Sequence, residues 1–132
     1  MTALVRCLSL AFLSAVLAAP AFAQLDSTRR AAVVRAGPDN RFPQVARLPN
    51  ATNVHVHGCI ASRVWCDIQA GRTRGWIRLS DLTQSSRLRN AATVTFSVAD
   101  YWDAHYRTRS WYASRDRWVD WNSPGFTPPA AR

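Results

Sequence analysis

Between Asn53 and Leu79 the chain alternates in polarity and is cut at short intervals by turn residues. From Asn53 to Cys59, Val54 and Val56 fall on one side, and His55, His57 and Cys59 on the other. A period of two is the signature of a half-buried strand. Ile60 to Arg63 makes a turn. Val64 to Ala70 alternates again, with Val64, Cys66 and Ile68 on one face and Trp65 and Asp67 on the other. Gly71-Arg72 marks a tight turn before a third run, Thr73 to Leu79. Strands this short and this closely spaced confine the region to a small β-fold.

Two more strands precede these. Ala32 to Arg35 reads as a strand, Ala36 to Pro43 as a long ordered loop rich in Gly, Pro, Asp and Asn, and Gln44 to Leu48 as a second strand. Pro49-Asn50-Ala51-Thr52 is a turn, and Ser80-Asp81-Leu82 a single helical turn that closes the unit. Five strands with turn chemistry between them predict an all-β fold, a small barrel. A unit of ~50–60 residues is marginal alone, and one covalent staple would help it.

The order of short motifs points to a family. Val33-Val34-Arg35-Ala36-Gly37-Pro38 is followed by Phe42-Pro43, Leu48 and Gly75-Trp76-Ile77. This series resembles the bacterial SH3-like (SH3b) domain, whose pattern opens N-V-R-x-G-P, continues with an aromatic before proline and L-x-x-G, and closes on G-W-V. Val33 replaces the family asparagine, and Ala51 stands where a turn glycine is usual. The resemblance covers residues 31 to 82. It implies an SH3-like barrel and non-enzymatic binding in the cell envelope, to peptidoglycan or to wall-associated peptides. It also implies a shallow cleft framed by the first long loop and a neighbouring hairpin. In that cleft Phe42 and Trp65 would supply aromatic surface, Asp39 would meet an ammonium group, and Arg41 and Arg74 would meet carboxylates. Trp76 is expected to pack in the core.

The first segment addresses compartment. Arg6, the apolar run Leu8 to Ala19 and Ala21-Phe22-Ala23 form the three parts of a secretory signal, with cleavage expected between Ala23 and Gln24. The apolar run is shorter than the ~20 residues a transmembrane helix needs. With no cysteine at the cleavage point, a lipoprotein anchor is not expected. The product would be exported, periplasmic or extracellular, without a transmembrane span. It would carry a charge of +8, from sixteen Arg against eight Asp; the chain contains no Lys and no Glu. That charge favours anionic surroundings, and export argues against nucleic acid as the partner. Cys59 and Cys66 are the two cysteines left after cleavage, and they sit across a short turn where a hairpin disulfide is feasible.

Chemistry is harder to build. Cys59 and Cys66 lie near His55 and His57, but a cysteine in an exported chain is far more often half of a disulfide. Without Glu and with scattered Asp, a paired-carboxylate hydrolase lacks its parts. His55, His57 and Cys59 share a strand face, yet side chains two apart stand ~7 Å from each other, wide for one Zn²⁺. The chain is therefore read as neither enzyme nor metal protein, with no cofactor; catalytic or metal-binding activity is the remote alternative. A nearer alternative is a protein-interaction module that assembles envelope proteins without touching glycan.

The remaining segments are lead-in, linker and tail. Residues 24 to 30 read as a loose lead-in, and 83 to 132 as a linker and extension. Within the extension, 83 to 92 is polar, and Thr93 to Val98 alternates like one more strand. Beyond it Tyr101, Trp102, Tyr106, Trp111, Tyr112, Trp118 and Trp121 interleave with Arg107, Arg109, Arg115 and Arg117. A short helix near Trp111 to Asn122 fits the spacing, and Ser123 to Pro129 reads as coil. Two roles remain open for these aromatics: packing on the barrel, or binding a ligand.

Overall fold

A computed structural model describes residues 24 to 130; the expected signal segment and its cleavage bond at Ala23 lie outside the described residues. Six strands form one antiparallel sheet: β1 (Gln24–Ser27), β2 (Ala32–Arg35), β3 (Gln44–Leu48), β4 (Asn53–Cys59), β5 (Trp65–Ala70) and β6 (Thr73–Arg78). Their order is β1-β4-β5-β6-β2-β3. The five strands expected from the sequence are all present. A 3-10 turn at Leu79–Asp81 stands one residue before the expected helical turn.

The sheet is open, which corrects the expectation of a closed five-stranded barrel. Residues 24 to 30 are not a loose lead-in: β1 pairs with β4 through Gln24↔Val56 to Ser27↔Asn53 and becomes an edge strand. Its polar residues have specific partners. Asp26 is buried and accepts from the backbone N–H of Ser27 and of Gln84. Thr28 bridges to Leu82 and donates its hydroxyl to Pro49 O at 2.7 Å.

Both faces of the sheet are covered, and that removes the need for closure. One face gathers Val34, Val54, Val56, Ile68 and Ile77 with Leu79, Leu82, Leu88 and Ala91. The other gathers Trp65 and Trp76 with Phe42, Val98, Tyr101, Trp102, Tyr106 and Trp118. Residues Trp65 to Ile68 of β5 are therefore buried in succession rather than alternately. A large apolar side chain fully buried in either layer contributes about 1.5–3 kcal/mol.

A β-bulge in β4 between Val56 and Gly58 changes the predicted faces. The extra residue, His57, moves Cys59 onto the face of Val56, away from the two histidines. Cys59 then lies directly opposite Cys66, and the two form a disulfide buried in the first core. Gly75 has its own reason. A Cβ there would stand 2.6 Å from Arg35 O and 2.7 Å from Val34 Cγ1, so the close approach of β6 to β2 demands glycine.

The extension departs from its expected form. The linker contains a helical turn, Ser85–Leu88, whose Leu88 enters the first core. Thr93 to Val98 is not a strand. Thr93 makes one isolated parallel bridge to Cys59; further on Ser97 Oγ accepts from Asp100 N–H at 3.1 Å and starts a π-helical turn, Val98–Trp102. A 3-10 stretch, Ser110–Arg117, fills the place of the expected short helix.

Candidate functional site

The loop from Ala36 to Pro43 is built by a small set of local bonds. Asp39 N–H donates to Gly37 O, and Phe42 N–H donates to Asp39 O at 3.2 Å. Ala36 N–H donates to Pro43 O at 3.1 Å, which closes the loop at its base. Gly37 has no Cβ because one would stand 2.5 Å from the Phe42 ring. Phe42 therefore folds inward and is only 1% exposed. Arg35 Nη1 donates to Phe42 O at 2.8 Å, anchoring that guanidinium against the loop.

At the loop tip Arg41 donates to Asp39 from its backbone N–H at 2.8 Å and from Nε at 3.0 Å. Burial pushes the Asp39 carboxyl up, but the Arg41 hydrogen bonds and the charges of Arg41 and Arg35 outweigh it and hold the group below 3.8. The Arg41 guanidinium also lies 5.5 Å from the Trp121 ring centre and 5.9 Å from that of Phe126.

The extension fastens to this loop. Trp102 Nε1 donates to Ala36 O at 2.9 Å, both buried. Phe42 stacks on Trp118 with ring centres 4.9 Å apart and planes 25° from parallel. The 3-10 stretch is held in turn by Asp103, which accepts from Arg115 Nε at 2.6 Å and from the Tyr112 hydroxyl at 2.8 Å.

Between loop and extension opens a cleft of about 530 Å³. Its charged lining is Arg35, Arg41 and Arg117, with no carboxylate among the lining residues. Phe42, Trp111, Trp118, Pro43 and Pro129 give it apolar walls. Neither Arg35 nor Arg117 has an ion-pair partner among the described residues. A smaller cleft of about 190 Å³ shares Arg35 and Asn40 with the first. There Arg78 stands 5.1 Å over the Trp65 ring and donates to Asn40 Oδ1 at 2.9 Å.

The residues expected to form one groove are divided. Arg41 and Phe42 line the larger cleft, and Trp65 the smaller. Asp39 is engaged by Arg41. Trp65 is 6% exposed instead of standing on a rim, because the extension covers the sheet face it shares with Trp76. Arg74 belongs to neither cleft. Its Nη2 donates to Asp67 Oδ2 at 2.8 Å, and the Tyr101 hydroxyl donates to the same oxygen. Burial, with the Asp67 charge added, pushes the Tyr101 phenol far up. Beneath it the Tyr106 hydroxyl and Trp76 Nε1 are buried without a hydrogen-bond partner among the described residues. Burial, with the charges of Asp67 and Tyr101 added, pushes the Tyr106 phenol far up.

His55 is exposed, and His57 Nε2 is 3.3 Å from Gln69 Oε1. Sequence reasoning missed Arg35, Arg78 and Arg117 as cleft residues. The signal was present in part: Arg35 sits inside the opening motif, and Arg117 precedes Trp118 in the aromatic tail.

Among the described residues no helix is long and apolar enough to cross a membrane. No family model, curated protein or solved structure matches the chain.

Proposed function

We propose that this chain is a non-enzymatic binding module of the cell envelope that recognises anionic, peptide-bearing wall polymer such as peptidoglycan. The observation that carries the reading is the larger cleft, where three guanidiniums and aromatic walls meet with no lining carboxylate. Arginine forks pair with carboxylates, and aromatic and proline surfaces accept the apolar parts of a peptide. The SH3b-like motif series and the signal-like first segment supply the envelope context. Asp67, Arg74 and Tyr101 are spent on one another, so the most buried ionisable group is used for architecture.

A second reading has its own observation. β1 is an edge strand whose Leu25 is 68% exposed, a surface on which another envelope protein could add a strand.

Co-sedimentation with purified sacculi tests the first reading. Wild-type protein is expected to sediment at low salt and to be released as salt rises, because exposed charge is screened beyond about 8 Å at physiological ionic strength. Absence from the pellet at low salt rejects wall binding.

A further inference from the structure

Resting on that reading, we infer that the larger cleft captures the free C-terminal carboxylate of a short peptide, with Arg117 and Arg35 as the paired donors. The three arginines are not equivalent. Arg41 is already engaged by Asp39 at 3.0 Å and lies against Trp121 and Phe126. Its charge is largely compensated where it stands. Arg35 has spent Nη1 on Phe42 O, a neutral acceptor that orients the guanidinium without cancelling its charge. Arg117 is exposed, at the end of the 3-10 stretch, with neither a hydrogen bond nor an ion pair from its side chain among the described residues. The cleft thus holds two guanidiniums whose charge nothing in its lining answers.

The size of the cleft narrows the ligand. At about 530 Å³ it falls in the range of small-ligand sites. A volume of this kind takes the end of a chain, not a long polymer laid across the surface. A planar guanidinium matches a carboxylate through two parallel N–H···O bonds. The Trp111, Trp118 and Pro43 walls would cover the apolar side chains of the last residues. The C-terminal extension supplies Trp111 and Trp118 together with Arg117, so the site depends on residues outside the SH3b-like segment.

The test uses the full mature chain and three defined probes: N-acetyl-alanyl-alanine, its C-terminal amide, and inorganic phosphate. Trp111 and Trp118 line the cleft, so quenching or shift of tryptophan fluorescence reports occupancy. The acid is expected to bind at least ~10-fold more tightly than the amide, the factor one charge-assisted contact commonly supplies. Arg117→Ala should weaken the acid by a similar factor and the amide by less, while leaving the melting midpoint unchanged. Arg35→Gln serves as the second variant. Equal affinity for acid and amide overturns the inference, as does phosphate competing as strongly as the acid. Sedimentation of wild-type protein with sacculi, without measurable binding of the acid, overturns the inference and leaves the wall reading in place. Binding of the acid without any sedimentation upholds the carboxylate site and removes the wall reading.

Discussion

The Tyr101 hydroxyl donates its hydrogen to the Asp67 carboxylate across 34 positions of sequence, joining the covering segment to the middle of the sheet. Asp67 is fully buried, and Arg74 completes its shell. A charged acceptor so enclosed is costly to leave half-satisfied.

Tyr101→Phe is expected to lower stability by about 2 kcal/mol, the range for a buried hydrogen bond to a charged group. Asp67→Ala should cost more, about 3–5 kcal/mol, because it strands the Arg74 guanidinium. Urea unfolding followed by tryptophan fluorescence measures both. A Tyr101→Phe midpoint equal to wild type would show that the bond does not hold the cover in place.

His105 rests on the Tyr101 ring, with ring centres 4.5 Å apart. Burial first, and then the Arg74 charge, lower its pKa below 6.5; His57 adds to the fall and Asp67 opposes it. Between the folded value and 6.5 the unfolded chain therefore binds more protons than the native one. The stability contributed by neutral His105 is present above 6.5 and is lost as pH falls through the folded value. An NMR titration should place the His105 midpoint below 6.5, and His105→Gln should flatten the stability profile in this window. A midpoint above 6.5 would contradict the assigned environment.

The Cys59–Cys66 disulfide spans a sequence separation of 7. For so short a loop the chain-entropy relation yields about 2.5 kcal/mol. The Cys59→Ala/Cys66→Ala double variant should lose roughly that much in chemical unfolding. Thiol alkylation of the non-reduced native protein should label neither position; labelling of both would refute the pairing.

Ala51 occupies the left-handed region at φ 58°, with its N–H donating to Thr28 O at 2.8 Å. A non-glycine residue there costs ~1–2 kcal/mol, partly offset because glycine loses more entropy on folding. Ala51→Gly should therefore raise the thermal midpoint, by the equivalent of up to about 1 kcal/mol. A lower midpoint would show that the alanine methyl makes a contact worth more than the strain.

The sequence revealed most of the strands and little of what covers them. β2 to β6 were legible because turn residues separate short alternating runs, and Ala51 marked its own departure from the turn glycine. β1 was not, because Asp26 and Thr28 look solvent-bound until Gln84 N–H and Pro49 O reach them from distant turns. The β4 bulge was also illegible: a strict period of two places Cys59 with the histidines, and one extra residue reverses it. Trp65 was misjudged for a different reason. Alternation identifies its face but does not say whether a second layer covers that face. The tail's aromatics were open between core and ligand. The structure packs Tyr101, Trp102, Tyr106 and Trp118 into the second layer and leaves the Trp111 and Trp118 edges to the cleft.

The chain emerges N-terminus first, from a ribosome or from an export channel, so β6 precedes the residues that cover its aromatic face, Val98 to Trp118. Between the emergence of β6 and that of Trp118 this face of the sheet has no cover. During that interval Trp65, Trp76 and Phe42 form a bare aromatic surface with Asp67 at its centre, held by Arg74 alone. A sheet that formed in that interval would present this surface to other chains. The arrival of Tyr101 gives Asp67 its second side-chain partner and begins the covering of that surface.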